Sequence, residues 1–188
     1  MRIPVIAAIA ASLLASLTAC GQHVDQGPLI TTTVPDSPSS VSATPAPAPG
    51  QCDENGLSYS AGPVDAALGH RAFVVTLRNC GTGAKQVSGY PDVTVLNGAG
   101  EQLDVRIDHG NSYMARDPGP RSFSLEPGKP LLSVFSWSST VSEGEKQTGA
   151  AVTVAVAGER ARTVPVDFID LGTTGQLSVT AWNTGLLQ

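Results

Sequence analysis

The side chains able to do chemistry are few in this chain, and they are scattered. Three histidines stand at His23, His70 and His109, and the densest polar stretch is Asp104-Val105-Arg106-Ile107-Asp108-His109-Gly110. Asp108 and His109, with His70 and Met114 brought alongside by folding, have the donor types of a Cu or Zn site. Their spacing matches no metal motif, so surface-loop residues are the expected outcome, with no resident metal or other cofactor. Asp104, Asp108 and Asp117 have the chemistry of acid and base, but acids so spaced in a loop are solvated as a rule. No G-x-S-x-G elbow, Walker-type loop, G-x-G-x-x-G or H-E-x-x-H occurs. The usual signals of a serine nucleophile, a phosphate cradle and a zinc protease are therefore missing. The chain reads as a non-enzyme. Its best binding candidates are Asn111, Tyr113, Met114 and Arg116 in the stretch from Asp108 to Arg121. That stretch, about 14 residues, is long for a plain connection, and loops held on a rigid scaffold often bind.

The N-terminus has its own chemistry. Arg2 is the only charge before Asp25, and an apolar run from Ile3 to Leu17 follows it. This is the layout of a secretory signal, and the run is shorter than the roughly 20 apolar residues a bilayer span needs. It closes on Leu17-Thr18-Ala19-Cys20-Gly21, which resembles the lipobox of bacterial lipoproteins. The resemblance implies that residues 1–19 are cut off as a lipoprotein signal peptide and that the Cys20 thiol carries a diacylglycerol, with the new amine often acylated as well. Two or three acyl chains anchor firmly at ~0.8 kcal/mol per buried CH2, where a single chain is marginal. The expected address is the cell membrane, lipid-anchored on its extracytoplasmic side.

Residues 20–51 hold six prolines (Pro28, Pro35, Pro38, Pro45, Pro47, Pro49), the run Thr31-Thr32-Thr33 and four serines, but no aromatic residue. Such a segment buries too little apolar surface to offset its ordering entropy, so it is expected to be a disordered tether. Its reach is ~30 Å as a flexible coil and ~95 Å if extended as polyproline. In an oxidising envelope, the remaining thiols Cys52 and Cys80 read as a structural disulfide. A redox pair lacks its C-x-x-C spacing and a metal pair lacks a nearby His.

From residue 52 to 188 the periodicity is two, not 3.6, and the reading is all-β. Phe73, Val75 and Leu77 share one face of a strand at His70–Asn79. Further strands are expected at 92–96, 102–107, 121–125, 131–137, 151–157, 162–168 and 177–182. Asn97-Gly98 suits a positive-φ hairpin, Glu126-Pro127-Gly128-Lys129 a type II turn, and Asp117-Pro118-Gly119-Pro120 repeats that logic. Eight or nine such strands point to an antiparallel immunoglobulin-like β-sandwich behind the Pro-rich linker. Trp137 and Trp182 close two strands, which suits core packing better than a sugar-stacking platform.

The order Gly69-His70, Leu77-Arg78-Asn79-Cys80-Gly81, Ser88-Gly89-Tyr90-Pro91-Asp92-Val93, Leu125-Glu126-Pro127-Gly128, Ser136-Trp137, Asp170-Leu171-Gly172, Gly175-Gln176-Leu177 and Trp182 resembles domain of unknown function family 4232, found mainly in secreted proteins and lipoproteins of actinobacteria. The resemblance covers about residues 52–186. It implies an extracytoplasmic β-sandwich, usually with a disulfide, and no established activity or catalytic residues. One departure is visible. The family pattern sets its second Cys just before the Gly-Tyr-Pro strand, whereas here that place is Ala84-Lys85-Gln86-Val87 and Cys80 follows Asn79 directly.

Charge excludes one further class. Lys+Arg is 11 against Asp+Glu 16, a formal net charge of −5, and a nucleic-acid binder needs the opposite balance. Two functions are left as expectations. The first is a non-enzymatic binding or structural module on the outer face of the plasma membrane, with an envelope protein or glycan as partner. The second is an envelope metal handler or enzyme that uses the polar residues around Asp108 and His109.

Overall fold

The computed structural model describes residues 50–187. Residues 1–49, with the expected signal peptide, Cys20 and most of the expected tether, lie outside the described residues. Within them the chain forms eleven strands and no helix. The main sheet orders β1 (Leu57–Ala61), β3 (His70–Asn79), β8 (Pro130–Ser138), β11 (Gln176–Val179) and β6 (Arg106–His109), with β2 (Asp65–Ala67) also paired to β3. A second sheet orders β10 (Arg162–Asp170), β9 (Thr148–Ala155) and β5 (Asp92–Leu96). A two-stranded ribbon joins β4 (Lys85–Ser88) to β7 (Ser122–Leu125).

Alternation drives these sheets together. Phe73, Val75 and Leu77 of β3, Phe135 of β8, and Leu177 and Val179 of β11 point to one side. There they meet Val95 of β5, Val152 and Val154 of β9, and Val164 and Ile169 of β10 in a single buried cluster. Phe73 stacks on Phe135 with ring centroids 5.1 Å apart, and Trp137 meets Phe73 edge-on at 5.9 Å. The result is the expected all-β sandwich, two sheets with their apolar faces inward. Both tryptophans belong to the core. Trp182 is fully buried, and the Trp137 indole N–H donates to the Asp170 carbonyl oxygen at 3.0 Å and to its Oδ1 at 2.9 Å.

Several local expectations are corrected. Pairing is antiparallel except at β6–β11, which is parallel with Ile107 opposite Leu177. Parallel neighbours cannot be joined by a hairpin, and these two strands are distant in sequence. The strand expected over 102–107 begins only at Arg106, with Gln102 making a lone bridge to Leu96. Asn97-Gly98 is not the positive-φ pair: the turn is one step wider, with Gly100 at φ 81° and Asn97 Oδ1 accepting from the amides of Ala99 and Glu101. By contrast, Glu126–Lys129 forms the expected turn. Gly128 takes φ 76° and the Lys129 N–H donates to the Glu126 carbonyl at 3.0 Å.

Cys52 and Cys80 are bridged, with Cα atoms 6.2 Å apart and a sequence separation of 28. The bond ties the segment entering β1 to the end of β3. Asn79, just before it, is fully buried, and its amide nitrogen donates to the carbonyls of Gly83 and Leu125. The turn after β3 is thus held by polar bonds as well as by the bridge.

Candidate binding cleft

The outer face of the main sheet carries the candidate site. One cross-strand row reads Ala72, Ser136, Ser178 and Asp108, from β3, β8, β11 and β6 in turn. Small side chains in a row leave a shallow trough, and the loop over 110–121 lies across it. Ala115 is buried against Ala72 and Val134, with Met114 packed beside them. Polar bonds shape the loop. Ser112 Oγ accepts from the amides of Met114 and Ala115, both at 3.1 Å, and the Ser112 N–H donates to the Ala115 carbonyl at 2.9 Å. Asn111 Oδ1 accepts the Asp117 N–H at 2.7 Å and so draws the two ends of the loop together.

Asp117 then fixes the loop to the body. Its Oδ1 accepts the Ala181 N–H at 2.8 Å, and its Oδ2 accepts the Tyr90 hydroxyl at 2.6 Å. That hydrogen bond to a carboxylate, helped by burial and by the negative charge itself, raises the Tyr90 phenol to about 12. Tyr90 in turn stacks on His109, centroids 4.1 Å apart and planes 2° from parallel. At the other side of the loop Tyr113 stacks on His70, centroids 4.2 Å apart and planes 15° from parallel.

Between this loop and the sheet runs a cleft of about 190 Å3, lined by Tyr113 and Met114 from the loop and by His70, Ser136, Ser138, Gln176 and Ser178 from the sheet. Ser112, Trp137 and Thr174 complete the lining, so no Asp, Glu, Lys or Arg contributes. Ser136 is 2% exposed, and its Oγ has no hydrogen-bond partner among the described residues. The Gln176 amide nitrogen donates to Asp108 Oδ2, which also meets Arg106 at 3.1 Å. Ser138 Oγ shares a bond with Thr140 Oγ1 at 2.7 Å. Neither serine is coupled to the His70 imidazole, the arrangement that nucleophilic catalysis would require. The geometry is suited to holding a small ligand by hydroxyls, one amide and an aromatic wall.

The residues singled out from sequence separate into two groups. His70, Tyr113 and Met114 line the cleft, and Asp108 holds Gln176 from behind it. His109 is turned to Tyr90, Asn111 closes the loop, and Arg116 is exposed, linked through its N–H to the Leu187 carbonyl at 3.2 Å. The metal constellation does not assemble. The strands of His70 and His109 are separated by β8 and β11, roughly 14 Å at ~4.8 Å per strand step. Each imidazole is stacked on a tyrosine, and among the described residues no group of three or more His, Cys, Asp or Glu could hold a metal ion. Ser136, Gln176 and Ser178 were not expected from sequence. Alternation does mark them as outward-facing beside Phe135, Trp137, Leu177 and Val179, but only the loop lying over them makes them a site.

Residues 52–183 match a family described as a domain of unknown function (DUF4232). No curated protein and no solved structure matches the chain.

Proposed function

As the chain belongs to the DUF4232 family, we propose that it is a non-enzymatic binding module of the cell envelope, held by a lipid on Cys20 and displayed on the outer face of the plasma membrane. The observation that carries this reading is the cleft beneath the 110–121 loop, with a buried, unpartnered Ser136 hydroxyl and a stacked His70–Tyr113 wall. Buried polar groups are bonded as a rule, and of the four exceptions among the described residues Ser136 Oγ is the one whose residue lines this cleft. The lipobox at Cys20 and the tether supply the address, and the disulfide suits an oxidising compartment. The partner is an envelope protein or glycan.

A photocrosslinking residue placed at Tyr113 in intact cells tests the reading against the same residue at Asp167, which is exposed on β10 of the second sheet. Position 113 should give a discrete adduct and position 167 none. Equal adducts from both positions, or none from either, would remove the cleft as the binding surface.

A further inference from the structure

We infer that the cleft takes one uncharged sugar ring of an envelope glycan, a ligand class that rests on the binding-module reading above and narrows it. None of the lining side chains is a carboxylate, an ammonium or a guanidinium. The nearest acid, Asp108, is already engaged by Arg106 and Gln176. A charged ligand would lose its hydration there with nothing to pair it.

Ser136 carries a hydroxyl that can donate and accept but does neither among the described residues. Ser178 is its neighbour on the same cross-strand row. Gln176, its amide nitrogen tied to Asp108, offers a carbonyl oxygen in a fixed direction. Hydroxyls facing hydroxyls and an amide suit a ligand rich in groups that both donate and accept, which describes a pyranose. A purely apolar ligand would leave Ser136 as it is.

The third element is the wall. Tyr113 is 62% exposed although one ring face rests on His70, and Met114 lies beside it. A sugar has an apolar C–H face as well as polar edges, and an exposed aromatic surface next to hydroxyls matches both. Size agrees. The cleft, about 190 Å3, falls below the roughly 300–1,000 Å3 of pockets for drug-sized ligands. It admits one small ring, with the rest of a chain left in solvent.

The test uses the full-length lipidated protein in detergent. Methyl α-glucoside, methyl α-mannoside, methyl β-galactoside and N-acetylglucosamine are titrated by saturation-transfer NMR, with glucuronate and glucosamine as charged controls. At least one neutral sugar should bind saturably. Ser136→Ala and Tyr113→Ala should each weaken it by about tenfold, the scale of one lost hydrogen bond or one lost aromatic contact. Tyr113→Phe, which keeps the ring, should bind like the parent. The charged controls should bind at least about tenfold more weakly than the best neutral sugar. Thermal melts of each variant separate loss of binding from loss of fold. The proposal is overturned if no neutral sugar binds up to tens of millimolar, if a charged control binds better, or if Ser136→Ala binds unchanged. Should the sugars fail while position 113 still crosslinks to an envelope protein, the glycan is wrong and the binding module stands. Should both fail, both readings fall.

Discussion

Two serines on the same strand offer a test in which the expected signs are opposite. Ser133 and Ser136 both lie on β8 and both are buried, at 0% and 2% exposure. Ser133 Oγ donates to the Thr180 carbonyl at 2.6 Å, whereas Ser136 Oγ has no partner among the described residues. Removing the first hydroxyl loses a hydrogen bond and strands the carbonyl, a cost of about 1–2 kcal/mol. Removing the second loses no bond and relieves a desolvated hydroxyl, a gain on the order of 1 kcal/mol. For a domain of this size, 1 kcal/mol moves Tm by roughly 3–4 °C. Ser133→Ala should therefore melt ~3–8 °C below the parent and Ser136→Ala ~3 °C above it. Calorimetry of the full-length protein under reversible conditions, with both variants and the double variant, reads this directly. The sites face opposite sides of the sheet, so the shifts should add. A loss at Ser136→Ala as large as at Ser133→Ala would show that its hydroxyl is satisfied in the native state, and the argument for a ligand-ready cleft would go with it.

Gly172 takes φ 58°, and a Cβ there would sit 2.1 Å from the Thr140 carbonyl oxygen; Gly172→Ala should cost more than ~3 kcal/mol, seen as a collapse in the denaturant midpoint. Closing 28 residues with the Cys52–Cys80 bond contributes ~3–4 kcal/mol in the chain-entropy account, so reduction should lower Tm by about 10 °C, and an unchanged Tm would refute a stabilising role. Tyr59, raised chiefly by burial, and Tyr90, raised chiefly by its bond to Asp117, both stand at about 12 against an ordinary 10.0. The folded state holds these protons more tightly, so stability is complete below pH 10 and falls as pH rises toward 12. The variant carrying Tyr59→Phe and Tyr90→Phe should show a shallower fall in its urea midpoint over that window. Cys20→Ser should shift the protein from the membrane to the soluble fraction and abolish labelling by an alkyne fatty acid, and retention in the membrane would exclude Cys20 as the anchor.

The strands that were legible in sequence are the ones that build the core. Phe73, Val75 and Leu77 alternate without interruption, and β3 takes the expected bounds, as does β5. Three strands were missed: β1 puts Leu57 and Tyr59 in the core, alternating with two serines, and the other two are short and weakly patterned. β2 is a three-residue exposed strand, and its turn into β3 places Leu68 at φ 50°, where Asn or Gly is the usual signal. β4 has a single buried residue, Val87, so no alternation could announce it. The loop from 108 to 121 stood out in the sequence as a candidate site because of its length and its residue types. The sheet half of the cleft did not, since an outward serine on an antiparallel sheet is ordinarily solvated. Ser136 shares its cleft with a segment some 20 residues upstream that packs on the same sheet face, a long-range fact that no local pattern encodes.

That crossing needs a physical reason, because a sandwich does not require its outer face to be covered. Ordering the twelve residues of 110–121 costs on the order of 1 kcal/mol or more each in backbone entropy. Apolar burial gives little back: of the loop's side chains only Ala115 is deeply buried, and Met114 is partly so. The loop is held instead by polar clamps at its ends, Asn111 to Asp117 and Asp117 to Ala181 and Tyr90, and by the Ser112 turn in between. Tyr113, the largest side chain in the segment, is left largely exposed. A cover evolved for stability would do the reverse, burying its largest apolar group and leaving its ends loose. Rigid ends with an exposed aromatic at the middle are the features of a preorganised binding loop, where ordering before the ligand arrives removes an entropic cost from association. Loosening one clamp separates the two purposes. If Asn111→Ala weakens ligand binding while the melting temperature stays within about 2 °C of the parent, the clamp serves recognition; if binding and stability fall together, the loop is structural cover.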